Sequence, residues 1–209
     1  MKKPEQYDMK HLRKEIKKVQ DSKRYEHTLG VEYTAAALAM RFGADMENAQ
    51  IAGLLHDCAK CISDQEKLSI CKKHKIPITE SEQKAPFLLH AKVGSYLAQH
   101  KYGVEDQDIL NAITYHTTGR ENMSLLEKIV FVADYIEPGR KHAPNLAEIR
   151  FLAFQDLDNA LIRILEDTLN YLGTSEGEVD PVTELTYKYY SNLTIPSTQL
   201  SKNDNSVAE

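Results

Sequence analysis

The stretch "IAGLLHDCAKC", residues 51–61, contains both the apolar patterning and the polar side chains that define this chain. Apolar residues lead directly into the pair His56-Asp57, and Lys60 follows one helical turn after His56. An imidazole beside a carboxylate at the end of an apolar helix offers two metal-ligating groups at the edge of a core. A dipeptide carries little weight alone, so its meaning depends on which other side chains reach the same place.

The apolar residues repeat with helical spacing along almost the whole chain, and strand-like alternation is nearly absent. The pattern predicts helices over residues 10–20, 22–42, 45–60, 86–101, 106–116, 124–136, 145–153, 156–172 and 182–191. The boundary signals are Ser22 and Gly43, and the capping-box pairs Ser63 with Glu66 and Ser124 with Glu127. We therefore expect an all-α fold with one domain over residues 1–193, whose motif-bearing part spans about 22–140. The polar residues 194–209 are expected to form a disordered tail.

The composition is that of an ordinary globular domain: 209 residues, 42% of them hydrophobic and 27% charged, with a net charge of −5. That charge gives no overall basic field for nucleic acid or for an anionic membrane. Apolar runs of membrane-spanning length and a signal-peptide start are both missing, so we expect a cytoplasmic protein. The basic run in residues 2–24 is expected to be a solvated helix face, with attraction of an anionic substrate as the alternative.

The three cysteines, Cys58, Cys61 and Cys71, do not form a spaced disulfide framework. Cys58 and Cys61 have the spacing of half a zinc site, but a second pair is missing. We expect small buried side chains at these positions instead.

Side chains that ligate metals recur at the ends of apolar helical segments. His27 and Asp134 join the His56-Asp57 pair, and His90 and His116 repeat the arrangement. Asp134 follows five consecutive apolar residues, so we expect it to be buried, which is costly for a carboxylate unless it is paired or binds metal. A single histidine of this kind is more often a core or capping residue. The whole set has the donor chemistry of a site for Fe, Mn, Co, Ni or Zn.

Two further residues belong to the same stretch by helical spacing. Since the predicted helix runs to residue 60, Lys60 is expected on the face of His56, because residues i and i+4 stack on a helix. Gly53 precedes the pair by one turn and is a candidate substrate-binding position, since a glycine lets a ligand approach the backbone closely. A packing glycine is an equal alternative there.

The order His27, His56-Asp57, Asp134 resembles the H…HD…D signature of the HD-domain metal-dependent phosphohydrolases. The surrounding segments "RYEHTLGV", "AGLLHDCAK", "FLLHAKVG", "AITYHTTG" and "LEKIVFVADYIEPGR" resemble more specifically the YqeK-type, symmetrical bis(5'-nucleosyl)-tetraphosphatases. The resemblance covers about residues 10–190 and implies a single helical HD domain.

The resemblance also implies a site. It implies iron or another divalent transition metal (Mn, Co or Ni), as one or two ions, with the ligands His27, His56, Asp57 and Asp134. It implies nucleotide contacts from Arg24, Lys60, His90, His116 and Arg140, and we expect Asp57, Lys60, His90 and His116 to be catalytic. In related HD phosphodiesterases two extra histidines hold a second ion, so His90 and His116 are either such ligands or phosphate contacts.

The activity implied by the resemblance is hydrolysis of diadenosine tetraphosphate at its centre, which gives two ADP. The alternatives are an HD phosphohydrolase of another nucleotide, an ADP-binding sensor without turnover, and a helical scaffold with incidental histidines. A complete ligand set argues against the sensor. The expected partner is a small nucleotide, with no nucleic acid and no membrane, and a homodimer is a family-level expectation.

Overall fold

A computed structural model of the protein describes residues 7–174 and 180–193, and these residues form helices without any β-strand. The helices are α1 Met9–Val19, α2 Ser22–Phe42, α3 Met46–Leu55, α4 Asp64–His74, α5 Glu80–Lys84, α6 His90–His100, α7 Gln107–Tyr115, α8 Leu125–Ile136, α9 Leu146–Ala153, α10 Leu157–Thr174 and α11 Pro181–Leu193, with a 3-10 turn at Pro86–Leu89. The all-α prediction is confirmed. The predicted tail, residues 194–209, lies outside the described residues.

The core lies where α3 and α8 pass between α2 and α7. Ile51, Leu54 and Leu55 of α3 are fully buried, as is Ile129 of α8. Each such side chain contributes about 1.5–3 kcal/mol through burial. Both helices are apolar on most sides because other helices surround them. The residues that directly follow their C-terminal ends therefore lie in the interior of the protein.

The predicted helix boundaries are largely those of the structure. Ser63 and Ser124 each accept a hydrogen bond from the backbone N–H three residues later, and the capping box of Ser124 with Glu127 is complete. Gly43 ends α2 with φ at +77°, a left-handed conformation that glycine adopts without strain. In the described part of the chain, helices with the length and apolar content needed to cross a membrane do not occur.

The predicted helix 45–60 is wrong at its end, because α3 stops at Leu55 and residues 56–61 form tight turns. The ring Nδ1 of His56 lies 2.6 Å from the carbonyl oxygen of Gly53. That carbonyl is the acceptor that the N–H of Asp57 would use if the helix continued, so the side chain competes with the next helical turn. Lys60 therefore does not stack over His56 on a helix face.

Three smaller differences separate the predicted from the observed structure. The segment predicted as a helix over 86–101 begins as the 3-10 turn, and α6 starts only at His90. The five-residue α5 was not predicted, because "ESEQK" has no apolar repeat; it depends on a capping box between Thr79 and Glu82. Cys58 and Cys71 are buried as expected, whereas Cys61 is exposed.

Candidate metal centre

Three histidines enter the centre by the same local arrangement at helix ends. In each, the ring Nδ1 lies within hydrogen-bond distance of the carbonyl oxygen three residues earlier: His56 with Gly53 at 2.6 Å, His90 with Phe87 at 2.7 Å and His116 with Ile113 at 2.7 Å. A carbonyl oxygen can only accept, so the proton is on Nδ1. In the neutral ring the Nε2 lone pair then faces the centre and is free to bind a cation.

His27 is oriented by a side chain instead. It lies in α2, and its Nδ1 is 3.1 Å from Oε1 of Glu137, which directly follows α8. Glu137 is buried, and its Oε2 accepts the backbone N–H of Gly139 at 2.5 Å. A carboxylate on Nδ1 fixes the tautomer that presents Nε2 to the centre and raises the basicity of the ring, which is the usual support of a metal-binding histidine.

The donor atoms fit a divalent transition metal. Ligand atoms of His27, His56 and Asp134 all lie within 4.8 Å of one another. Nε2 of His27 and Nε2 of His56 are both buried and make no hydrogen bond to any described residue. Oδ1 of Asp134 is 3.1 Å from the first and 3.9 Å from the second. Buried nitrogens without a partner are costly, and a cation between these nitrogen and oxygen donors would satisfy them.

Asp57 lies between two groups of side chains. Its Oδ2 is 3.6 Å from Nε2 of His56 and 4.0 Å from Nε2 of His27. Its Oδ1 is 3.3 Å from Nε2 of His90 and 3.6 Å from Nε2 of His116. We call the group around Oδ2, made of Arg24, His27, Asp134, Glu137 and Arg140, the outer face. The group around Oδ1, made of Lys60, His90, His116 and Thr117, is the inner face.

The inner face brings a cation and two imidazoles together. Nε2 of His90 is 3.2 Å from Nε2 of His116, and Nζ of Lys60 is 3.0 Å from Nε2 of His90. Burial lowers the pKa of His90 to about 3, and the neighbouring His116 and Lys60 act in the same direction. Both rings share the hydroxyl of Thr117, at 3.3 and 3.2 Å. His90 is thus a neutral acceptor for the proton of the ammonium.

The ionisation states of the four predicted metal ligands bear on metal binding. Burial lowers the pKa of His56 to about 4, so that ring is neutral. Burial opposes ionisation of Asp57 and Asp134, yet the neighbouring histidines hold the pKa of both carboxyl groups well below the usual range. Burial alone would lower the pKa of His27, but the carboxylates of Asp134 and Glu137 outweigh it and raise that pKa. The centre thus offers two carboxylates and the unprotonated Nε2 of His56, whereas a metal ion that binds at His27 displaces a proton from its ring.

Two arginines hold the carboxylates in place. NH1 of Arg24 donates to Oδ2 of Asp57 at 2.8 Å, and NH2 of Arg140 donates to both the carbonyl oxygen and Oδ1 of Asp134 at 2.8 Å. Their side chains are 33% and 38% exposed, so each guanidinium also faces solvent beside the centre. Both were predicted as nucleotide contacts, and both lie where an anionic ligand would reach the centre.

Two sequence-based expectations need correction. Asp134 was expected to be buried, and it is only partly so, with 24% of its side chain exposed. Gly53 was a candidate for substrate binding, but a Cβ there would lie 2.9 Å from Cα of Glu32 in α2. The packing alternative therefore explains this glycine, because it lets α2 and α3 approach closely and its carbonyl orients His56.

Sequence reasoning missed three residues of the site. Glu137, Thr117 and Gln20 all contact predicted site residues, the last through its amide, which donates to the carbonyl oxygen of Asp57 at 3.1 Å. Glu137 follows Asp134 by three residues in "DYIEPGR", and Thr117 follows His116 directly, so their positions beside predicted ligands were the available signals. Gln20 gives no signal, because only the packing of α1 and α2 brings it to Asp57.

Comparisons with known proteins agree with this geometry. The model of the HD domain family matches residues 24–139. Bis(5'-nucleosyl)-tetraphosphatase, symmetrical, from Bacillus subtilis (strain 168) is 48% identical over 79% of this chain and 88% of its own length. The protein of the same name from Staphylococcus aureus (strain NCTC 8325 / PS 47) is 36% identical over 72% of this chain and 77% of its own length.

A solved structure matches over nearly the whole described chain. The crystal structure of a predicted HD superfamily hydrolase involved in NAD metabolism, from Clostridium acetobutylicum, superimposes with a TM-score of 0.86 and 37% identity, covering 90% of this chain and 98% of that one. HD-domain hydrolases are metal-dependent, and this chain has a candidate His/Asp site for the metal. The chain belongs to the HD-domain family, in the group whose relatives are named symmetrical bis(5'-nucleosyl)-tetraphosphatase.

Proposed function

We propose that this protein hydrolyses diadenosine tetraphosphate at the central phosphoanhydride and releases two molecules of ADP. The observation that carries the proposal is the pair of buried Nε2 atoms of His27 and His56, which make no hydrogen bond within the described residues and lie beside Asp134. Relatives that match most of this chain are named for the symmetrical reaction, which supports that substrate over other nucleotides. The cationic and hydrogen-bonding groups on both faces suit a highly anionic ligand.

The metal in this proposal is held by His27, His56, Asp57 and Asp134. Imidazole and carboxylate donors without thiolate suit iron, manganese, cobalt, nickel or zinc, and the family resemblance implies iron or a similar ion among these. When bound, such an ion acts as a Lewis acid on phosphoryl oxygens and lowers the pKa of coordinated water. The chain's own contribution is to keep both carboxylates ionised and Nε2 of His56 unprotonated.

One resident ion is favoured over two by the position of Lys60. Its Nζ lies 3.0 Å from Nε2 of His90 and 3.9 Å from Oδ1 of Asp57. A second ion could use His56, Asp57 and His116, whose ligand atoms also lie within 4.8 Å of one another, but the ammonium already supplies a positive charge beside Oδ1 of Asp57. We therefore assign Lys60 as the second cation of the site, with Nε2 of His90 holding its ammonium in place rather than binding a second ion.

The roles of the residues around the phosphates follow from their donors. Arg24 and Arg140 each have five N–H donors, so the bonds to Asp57 and Asp134 leave others to bind phosphate oxygens. Lys60 neutralises charge that develops on the leaving phosphate. The Nδ1–H of His90 is held by a backbone carbonyl, so that ring accepts at Nε2 and orients Lys60.

Product analysis tests the proposal. The metal-loaded protein is incubated with diadenosine tetraphosphate, and the nucleotides are separated by chromatography. ADP as the sole nucleotide product supports central cleavage. Equal amounts of AMP and ATP would reject the symmetrical reaction, since off-centre cleavage gives that pair.

A substrate panel separates the alternatives. The relative of known structure is described as involved in NAD metabolism, so a pyridine dinucleotide and nucleoside mono- and triphosphates belong in the panel. Faster turnover of one of these would replace the proposed substrate. Tight ADP binding with no turnover of any of them would favour the sensor.

The remaining expectations about the protein in the cell stay predictions. They are a cytoplasmic location, the absence of nucleic acid from the reaction, a homodimer, and a domain over residues 1–193. Light scattering of the purified protein would test the homodimer.

A further inference from the structure

Asp57 and Lys60 lie in one tight turn, which comes directly after α3. The carbonyl oxygen of Asp57 accepts the backbone N–H of Lys60 at 3.0 Å and so closes this turn. The carboxylate of Asp57 is shared by both faces of the centre, and the ammonium of Lys60 is the cation of the inner face. The position of these two charged groups relative to each other therefore depends on what holds the turn in place.

Gln20 binds this turn from the end of α1. Its side-chain amide donates from Nε2 to the carbonyl oxygen of Asp57 at 3.1 Å, and the residue is only 9% exposed. The same oxygen accepts the N–H of Lys60, and a carbonyl oxygen has two lone pairs for two donors. Gln20 thus holds the atom at which the turn closes.

The residues that follow Gln20 hold the other end of Asp57. Asp21 caps α2 and accepts the N–H of Arg24 at 2.9 Å, and NH1 of Arg24 donates to Oδ2 of Asp57 at 2.8 Å. The junction between α1 and α2 therefore holds Asp57 both at its backbone carbonyl and at its carboxylate. Two fixed points restrict rotation of the side chain, and its Oδ1 lies 3.9 Å from Nζ of Lys60.

The stability of the fold does not explain a glutamine at position 20. Oε1 of Gln20 is buried and makes no hydrogen bond within the described residues. A buried acceptor without a partner destabilises the folded chain, whereas an apolar side chain of similar size does not have this penalty. Without the amide, the carbonyl oxygen of Asp57 would still accept from Lys60. A residue that lowers stability in this way is typical of a functional position.

We infer that Gln20 is a positioning residue, which acts through the turn to set the position of the Lys60 ammonium relative to Oδ1 of Asp57. Its amide donates to the backbone of Asp57 and not to the carboxylate oxygens, so we expect an effect on the rate and not on metal content. The inference rests on the proposed function, in which Lys60 neutralises charge on the leaving phosphate.

Gln20→Met tests the inference, because it removes the donor at nearly constant size. In the metal-loaded protein, kcat for diadenosine tetraphosphate should fall about tenfold, since small displacements of a preorganised group already cost this much. KM and metal content should stay near the unaltered values. The urea midpoint of the metal-free protein should be unchanged or higher, because the unpartnered amide oxygen is gone. Gln50→Met, at a half-buried glutamine of α3, is the matched control and should leave kcat unaltered.

A double-mutant cycle with Lys60→Ala shows whether Gln20 acts through the ammonium. Two substitutions that affect the same interaction are not additive, so in the Lys60→Ala protein Gln20→Met should change kcat by less than about twofold. A further loss of about tenfold in that protein would overturn the inference, because Gln20 would then act independently of Lys60.

The remaining outcomes separate the inference from the proposed function. Unaltered kcat in Gln20→Met would reject the inference alone. A lower kcat together with lost metal or a lower urea midpoint would also reject it, because Gln20 would then be a structural residue. If the unsubstituted protein does not hydrolyse diadenosine tetraphosphate, the proposed function fails, and the same cycle is measured with the nucleotide of the panel that is turned over fastest. Absence of turnover with every nucleotide would reject both.

Discussion

The outer and inner faces of the centre orient their histidines in different ways. On the inner face, His90 and His116 are each held by a carbonyl oxygen three residues earlier in the chain. On the outer face, His27 is held by Glu137, which is 110 residues away in sequence. The inner arrangement follows from local helix ends, whereas the outer one exists only when α2 packs against the end of α8. Local hydrogen bonds thus orient the histidines of the inner face, and tertiary packing orients His27 of the outer face.

The largest effect is expected from the residue that both faces share. Asp57→Ala removes the carboxylate between them, so bound metal should be largely lost and activity should fall by more than about 10³-fold, beyond the loss of a single preorganised donor. Metal analysis and turnover measure this, and circular dichroism checks that the variant is folded. Asp57→Asn keeps the shape and should lose nearly as much. Full metal content with normal turnover would remove Asp57 from the centre.

Lys60→Ala tests the inner face alone. The variant should keep its metal, because the ammonium is not a ligand, and lose activity by about 10²-fold through loss of one preorganised charge. Metal content and kcat are measured together, with Lys73→Ala as the control at an exposed lysine. A gain of a second bound ion in the Lys60 variant would further support the ammonium as a replacement for metal. Loss of metal, or unchanged kcat, would contradict the assigned role.

The stability of the metal-free protein should fall as the pH drops below the ordinary histidine range. The pKa of His56 is lowered to about 4 and that of His90 to about 3. Below about pH 6.5 these two histidines therefore bind protons in the unfolded chain but stay neutral in the folded chain. Their contribution is complete above about pH 6.5 and is lost as the pH falls, by about 2 kcal/mol for the two together between pH 6 and pH 5.

Urea denaturation at several pH values measures this slope. His90→Gln should reduce the slope by about half, since one of the two titrating groups is removed. The raised pKa of His27 has the opposite sign, because its contribution is present at low pH and is lost as the pH rises through the folded value. A slope that does not change in His90→Gln would show that other groups cause the pH dependence.

Glu137→Gln tests the outer face, with a smaller effect. The amide keeps a hydrogen-bond acceptor for His27 but loses the charge, so metal affinity should fall about tenfold, at the low end for such partners. Competition with a chelator measures it, and Glu121→Gln is the control at an exposed carboxylate. Weakened substrate binding at unchanged metal affinity would contradict the positioning of His27 by Glu137.

The smallest effect is expected far from both faces. A chain ending at residue 193 should keep the activity of the full chain within error, because residues 194–209 contain no motif. A truncated protein with altered kcat or KM would extend the functional domain into those residues.

Much of the fold follows from local signals. The caps at Ser63, Ser124 and Gly43 each lie where the sequence predicted them, since capping is a contact between residues three or four apart. The predicted end of α3 was wrong, although its cause is also local, because the apolar pattern does not show it. His56 uses the carbonyl of Gly53 through its side chain, and periodicity reports only which residues are apolar.

The sequence by itself determined the all-α class, most helix boundaries away from the centre and the candidate donor side chains, because these depend on periodicity, on short-range hydrogen bonds and on residue identity. Only the tertiary structure decided that Asp57 divides the donors into two faces, that Glu137 orients His27, and that Lys60 lies against His90. Those contacts join helices that are distant along the chain. Their free energy comes from packing and desolvation in the folded core, which no local pattern encodes.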